Sequence, residues 1–269
     1  MAGISIIQIK ESKQFHVLTV LLLLIFLYSP VAKSAELYSS PPIFIAHAGG
    51  AINNKTYTNS LEALNLNYEK GHRFFEVDFS WTSDGELVAI HDWEAAFKQN
   101  FKVSDGSAIP TKAQFLQLET KTGLTQLSLE NVLKWADDKK DVYIVTDVKD
   151  ANIKALLLIS TQFSTYKKYI IPQVYNYSEY FEAARLGYDK IILTLYRIKI
   201  NPMEVLNFSI TNSPFAITMP WKVAQSGLAY YLSQNKTRVY AHTVNDLNLF
   251  TSLRQNGVYG IYTDHLSPQ

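Results

Sequence analysis

The sequence predicts an α/β fold, a single-domain (β/α)8 TIM barrel preceded by an N-terminal signal or anchor segment. Three observations predict it. Eight short apolar runs, rich in β-branched and aromatic residues, recur along residues 36–269, with amphipathic stretches between most of them. Strands separated by helices imply right-handed crossovers and a parallel sheet. The chain that follows the leader, about 235 residues, matches the size of such a barrel, about 250 residues. A doubly wound open sheet is the alternative.

The expected strands are 43–47, 73–79, 142–148, 169–174, 190–195, 215–219, 239–244 and 258–263. Helical stretches are expected at 60–70, 129–139, 153–163, 178–186 and 247–255. Ser60, Ser128 and Ser178 precede three of them, as N-caps do, and Ser128 is followed by Asn131 where a capping box has Glu or Gln. Gly71, Gly187 and Gly257 follow three, where a left-handed residue commonly ends a helix. Residues 84–125 break the rhythm with a short extra strand at 86–90 and a long irregular loop, and in a barrel such loops build or cover the site. No repeat, linker or low-complexity tract divides the chain.

The 269 residues contain no cysteine, which excludes disulfides, and carry a formal charge of +1. A balanced charge gives no footprint for nucleic acid. Seventeen Tyr and fourteen Phe suggest a cleft facing carbohydrate or lipid. The leader differs from the rest. Residues 17–28 read VLTVLLLLIFLY, with Lys10 and Lys13 before them and Pro30 and Ala32-Lys33-Ser34-Ala35 after them. This is the pattern of a secretory signal, too short for a membrane span of about 20 residues. Residues 1–35 are therefore read as a cleaved signal or a retained anchor, and 36–269 as a domain outside the cytoplasm, secreted or periplasmic.

Catalysis in this fold sits where strands end. The first strand ends in His47, and the extra strand in His91-Asp92. The second strand carries Glu76 and Asp78, which lie two apart and so share a face. Phe75, Val77 and Phe79 point to the helix layer. Two adjacent carboxylates repel unless a positive group joins them. A divalent cation held by oxygen alone, Mg²⁺ or Ca²⁺, answers that, with Asp147 as a third ligand. A plain ion pair with Lys149 would also answer it. A histidine at a strand end is often structural, but two beside a carboxylate cluster make an acid–base pair. Such a kit cleaves phosphodiesters, with the cation and Lys149 neutralising phosphate. His242, Asn245 and Trp221 are candidate substrate-binding residues. Trp93 is a candidate for stacking on a head group, and Asp264 is read as fixing the C-terminal turn.

The order His47-Ala48-Gly49, Tyr57-Thr58-Asn59-Ser60-Leu61-Glu62-Ala63, Gly71, Glu76-Val77-Asp78, Thr82-Ser83-Asp84-Gly85, Val88 and His91-Asp92 resembles the glycerophosphodiester phosphodiesterase family. Its superfamily also holds phosphatidylinositol-specific phospholipases C and sphingomyelinase D enzymes. Weaker likeness continues through Thr146–Lys149, Ala241–Asn245 and Gly257–Asp264. The resemblance implies a barrel with catalytic histidines at His47 and His91, metal ligands at Glu76, Asp78 and Asp147, and a phosphate contact from Lys149. Three departures stand out: Ala48 replaces the usual arginine, Thr58 the usual acidic residue, and Asp147 the usual Glu. The expected activity is thus metal-dependent hydrolysis of a small phosphodiester or lipid head-group substrate, with membrane-surface contact and no nucleic acid. Alternatives are a phospholipase D-like enzyme for choline lipids or a surface-polymer phosphodiester, and an inactive barrel that binds a glycan or head group.

Overall fold

The strand β1 (Phe44–Ala46) pairs in parallel on both sides: with β2 (Phe74–Trp81), Ala46 opposite Phe75, and with the last strand β9 (Gly260–Thr263), Phe44 opposite Ile261. That double pairing closes the sheet and rules out the open alternative. The computed structural model describes residues 43–104 and 106–268, so the leader at 1–35 lies outside the described residues. Around the ring, β2 is followed by β4 (Tyr143–Val148), β5 (Ile170–Val174), β6 (Ile192–Thr194), β7 (Ala216–Pro220), β8 (Val239–His242) and β9, all parallel. The remaining strand, β3 (Leu87–Ala89), lies antiparallel on β2 with Phe79 opposite Ala89, and forms the extra hairpin expected at 86–90. All eight expected barrel strands are present.

Helices fill the crossovers. In α1 (Leu61–Glu69) Ser60 accepts the first-turn N–H of Ala63. Helix α4 (Leu129–Lys139) opens with a full reciprocal box, Ser128 accepting from Asn131 N–H and Asn131 Oδ1 accepting from Ser128 N–H. Asn131 thus replaces the longer Glu without loss of either bond. Helix α6 (Tyr177–Arg185) begins two residues earlier than a Ser178 cap would set it, because Asn176 caps it, its Oδ1 accepting the Glu179 N–H, and Ser178 sits inside it. Two further helical segments were not expected: α7 (Pro202–Asn212), capped by Asn201, and residues 221–234, which follow β7 directly. The other crossover helices are α5 (Asn152–Gln162) and α8 (Leu247–Gln255).

The alternation of β2 decides what the barrel holds. Phe75, Val77 and Phe79 are buried against the helix layer, where the Phe75 ring meets Trp135 of α4 edge-on, centroids 5.1 Å apart. Burying each such ring stabilises the layer by roughly 2 kcal/mol. Glu76 and Asp78 therefore face the interior. The register sets Asp78 opposite Asp147 on β4, which brings all three carboxylates to one end.

The insertion at 84–125 is more ordered than the irregular loop expected. It holds α2 (Ala95–Asn100) and α3 (Lys112–Phe115) and its own apolar cluster of Val88, Ile90, Ala96, Phe97, Phe101 and Phe115. Trp93 belongs to that cluster. Its ring packs edge-on to Phe97 and Phe115 and its indole N–H donates to Trp81 O, so it is a packing residue of the insertion. Among the described residues no helix is long and apolar enough to cross a membrane.

Candidate active site

The chain leaves β1 through a tight turn in which His47 is followed by three left-handed residues, Ala48, Gly49 and Gly50, with φ of 47°, 81° and 83°. The turn aims the Ala48 N–H at Glu76, whose Oε2 accepts it at 2.7 Å. Gly50 adopts φ 83° and ψ 163°, a region open essentially to glycine alone. A Cβ there would lie 2.4 Å from Asn67 Nδ2. Asn67 needs that approach, because its amide donates to the carbonyls of Gly49, Ala51 and Ala63 and pins the turn to α1.

His47 is held at Nδ1 by Asp264 Oδ1, 2.8 Å away at the end of β9. His91 is held at Nδ1 by Asp92 Oδ2 at 2.7 Å. The Nε2 atom of each ring is thereby left for a cavity of about 270 Å³ that both residues line. The side chain of His47 is 13% exposed and that of His91 31%, so His91 stands nearer the rim. Asp264 therefore does more than the turn-fixing expected of it. Asn245 completes that support: its Nδ2 donates to Asp264 Oδ2 at 2.7 Å and its Oδ1 accepts from the Asp264 N–H. Asn245 itself does not line the cavity, and neither does Trp221, which lies just beyond β7 with Lys222 over its ring. His242 does line it. Its ring meets Tyr196 and Tyr262 edge-on, opposite the carboxylates.

Glu76, Asp78 and Asp147 each place an oxygen within 4.8 Å of the others. Lys149 Nζ donates to Asp78 Oδ1 at 2.8 Å and Asp147 Oδ2 at 3.1 Å. Asn59 holds Asp78 from both sides, its Nδ2 donating to Oδ2 and its Oδ1 accepting the Asp78 N–H. The Tyr175 hydroxyl donates to the remaining Asp147 oxygen. Of the oxygens of these three carboxyl groups, only Glu76 Oε1 is buried without a hydrogen bond. A buried oxygen of that kind is costly unless something positive or protic meets it. Three hard oxygen donors converging on one point, one of them unsatisfied, suit a divalent cation, and the cluster can hold one.

The charges order themselves accordingly. Burial, then the field of Asp78, pushes the Glu76 carboxyl up to about 8, despite His47 nearby. Burial would raise Asp78 too, but Lys149 and both histidines overcome it and keep it below the usual range. Burial disfavours charge on His47, yet its bond to Asp264 and the fields of Glu76, Asp264 and Asp78 push it up to about 9. His242 goes the other way. Burial, then the charge on His47, lowers it to about 4, so it is neutral.

Tyr57 was not singled out by sequence reasoning. Its ring stands edge-on to both His47, at 4.8 Å and 82°, and His91, at 5.1 Å and 90°. Its backbone is left-handed, φ 56°, as is that of Asn59, φ 46°. For a bulky residue this costs roughly 1–2 kcal/mol, a cost borne only where neighbours fix the geometry. Asn100 of α2 supplies one such bond, its Nδ2 donating to Tyr57 O at 3.1 Å. No signal in the residue types betrays this role.

No curated protein matches the chain. Among solved structures it resembles a glycerophosphodiester phosphodiesterase from Parabacteroides distasonis (24% identity, TM-score 0.66, covering 82% of this chain and 92% of the other). It also resembles one from Thermotoga maritima (19%, 0.64, 84% and 96%) and an Oleispira antarctica phosphodiesterase in complex with the product sn-glycerol-3-phosphate (19%, 0.64, 85% and 95%). At these identities the likeness shows the barrel. The family model described as the glycerophosphoryl diester phosphodiesterase family matches residues 47–203, from the first histidine through the carboxylate cluster and beyond. The chain belongs to that family and is a phosphoric diester hydrolase.

Proposed function

We propose that the protein is an exported, divalent-cation-dependent hydrolase of glycerophosphodiesters that moves protons through His47 and His91. The carrying observation is the pair of imidazoles, each fixed at Nδ1 by its own carboxylate, on the one cavity that also holds Glu76, Asp78, Asp147 and Lys149. Nδ1 anchoring sets the tautomer and aims Nε2. Water reaches the rim histidine more readily, so His91 Nε2 takes the proton of the attacking water as its oxygen bonds to phosphorus. The phosphorus–oxygen bond to the alcohol breaks, and His47 Nε2 gives its proton to the departing alkoxide. A phosphate monoester and an alcohol result.

Charge balance supports the cation. Lys149 pairs with Asp78 and Asp147, Glu76 is left to ionise only when a further positive charge joins the cluster, and a phosphodiester adds another negative charge. Glu76, Asp78 and Asp147 would hold Mg²⁺ or Ca²⁺, which supplies Lewis-acid neutralisation of the phosphoryl oxygens. Export is supported by the leader at 17–28. A second reading keeps the chemistry and changes the alcohol. Tyr57, Tyr196 and Tyr262 give the cavity an aromatic lining, and Ala48 offers no arginine, which favours choline lipids met at a membrane surface. Turnover of glycerophosphocholine, lysophosphatidylcholine and sphingomyelin, each with Mg²⁺, Ca²⁺ or chelator, tests both readings. Release from the first alone supports the leading one, release from the lipids supports the second, and activity untouched by chelator overturns the cation.

A further inference from the structure

Tyr57 sits in a conformation its residue type disfavours, and its ring contacts are the two histidines. The ring is perpendicular to both imidazoles, with centroids 4.8 Å from His47 and 5.1 Å from His91. It lines the cavity and takes no part in either apolar core cluster. Core burial therefore does not account for the left-handed backbone at φ 56°. Two asparagines secure the segment instead. Asn100, from the insertion, holds the Tyr57 carbonyl, and Asn59 locks onto Asp78. The chain thus spends two buried amides on placing one ring.

We propose that Tyr57 is the positioning residue of the acid–base pair, its ring wedged edge-on between His47 and His91 so that both Nε2 atoms face a single phosphorus. This rests on the His47–His91 reading above. The hydrogen bond at Nδ1 sets the tautomer and general aim of each imidazole, but within that contact the ring still has a small pivot about its Cβ–Cγ bond. A ring standing perpendicular to both removes the pivot, because edge-to-face contact has a preferred geometry. The ring carries the role and the hydroxyl does not: among the described residues the phenolic oxygen makes no hydrogen bond. The insertion gains a purpose as well, since through Asn100 it fixes the spacing of two catalytic groups that belong to different strands.

The test uses the full chain with Tyr57→Phe, Tyr57→Leu and Tyr57→Ala, beside His47→Ala and His91→Ala, on whichever phosphodiester the wild type turns over. Expected are a kcat within about threefold of wild type for Tyr57→Phe, and losses of at least about thirtyfold for Tyr57→Leu and Tyr57→Ala. KM should change less than about threefold, and the pH profile of kcat should shift in at least one limb, as loosened imidazoles titrate differently. Should Tyr57→Ala fail to fold, Tyr57→Leu keeps the bulk and decides alone. The assignment is overturned if the Leu variant keeps both kcat and the pH limbs, if Tyr57→Phe is as impaired as Tyr57→Leu, or if the loss lies wholly in KM. Active His47→Ala or His91→Ala would remove the acid–base reading itself. Inactive histidine variants beside a fully active Tyr57→Leu would remove only the role of Tyr57.

Discussion

His47 and Asp264 lie 217 residues apart in the chain, and Nδ1 of one stands 2.8 Å from Oδ1 of the other. The contact joins the ends of the first and last barrel strands, so closing the barrel and aiming the imidazole are one event. Asn245 holds the second Asp264 oxygen, which leaves the carboxylate little freedom to turn. In Asp264→Asn an amide replaces one oxygen, and the ring can then present the wrong tautomer. A fall in kcat of about a hundredfold, with little change in thermal midpoint, is expected from steady-state kinetics and calorimetry. A variant that keeps half the wild-type kcat would show that Asp264 does no orienting.

The turn that presents His47 depends on Gly50. Gly50→Ala sets a Cβ 2.4 Å from the Asn67 amide, in a backbone region that side chains shun. The two bonds Asn67 makes to the turn, to Gly49 O and Ala51 O, would be strained or lost together. A cost of roughly 3 kcal/mol follows. For a chain of this size that is a fall in melting temperature of about 6–12 °C. Gly85, with no atom within 4 Å of a Cβ, is the internal control. Gly85→Ala keeps only the positive-φ penalty at φ 77° and should fall less. Equal losses at both positions would contradict the crowding argument.

Lys149 and a bound cation compete for the same oxygens, since Asp78 Oδ1 and Asp147 Oδ2 already accept from Nζ. Removing the ammonium strands buried carboxylates, so Lys149→Met should lose roughly 3 kcal/mol in the presence of chelator. Mg²⁺ or Ca²⁺ should then raise the melting temperature more in Lys149→Met than in wild type, because the ion no longer has to share its ligands. Thermal melts with and without each ion read this directly. An identical metal-induced shift in both proteins would place the ion elsewhere.

Much of this architecture was legible in the residues. Buried parallel strands read as apolar runs, and all eight were found. Period-two alternation placed Glu76 and Asp78 inside the barrel while Phe75, Val77 and Phe79 went out. His47 and His91 were visible because a strand that ends in histidine stands at the catalytic face. What escaped depended on contacts remote in sequence. A Thr-Asp strand end reads equally as a turn, and nothing local says that Asp264 waits for His47. Tyr57 looks like any loop tyrosine until its φ is known. Trp221 and Asn245 were inferred from position at a rim, but position does not tell which side chain leans inward. One miss was avoidable. Asn201-Pro202 with Glu204 beyond is a helix start written in residue types, and α7 begins there.

His72 gives the fold an acid limit separate from catalysis. It is buried and bonds through Nε2 to Leu266 O at 3.0 Å, which ties the C-terminal segment to the start of β2. Burial first, with Lys70 and Arg73 adding to it, lowers its pKa to about 4 from the ordinary 6.5. Above 6.5 the ring is neutral whether folded or unfolded, so stability is complete there. As pH falls through 6.5 the unfolded chain takes up a proton that the folded one refuses, and stability declines until about pH 4, below which both forms are charged. The shift corresponds to a loss of roughly 3 kcal/mol. His242 adds a slope of the same sign, so the contribution of His72 must be taken as a difference. In denaturant titrations between pH 7 and 4 the wild type should lose more stability than His72→Asn as pH falls, by up to roughly 3 kcal/mol, the variant lacking that part of the slope. Parallel curves over the whole range would mean that the His72 ring accepts its proton as easily in the fold as out of it.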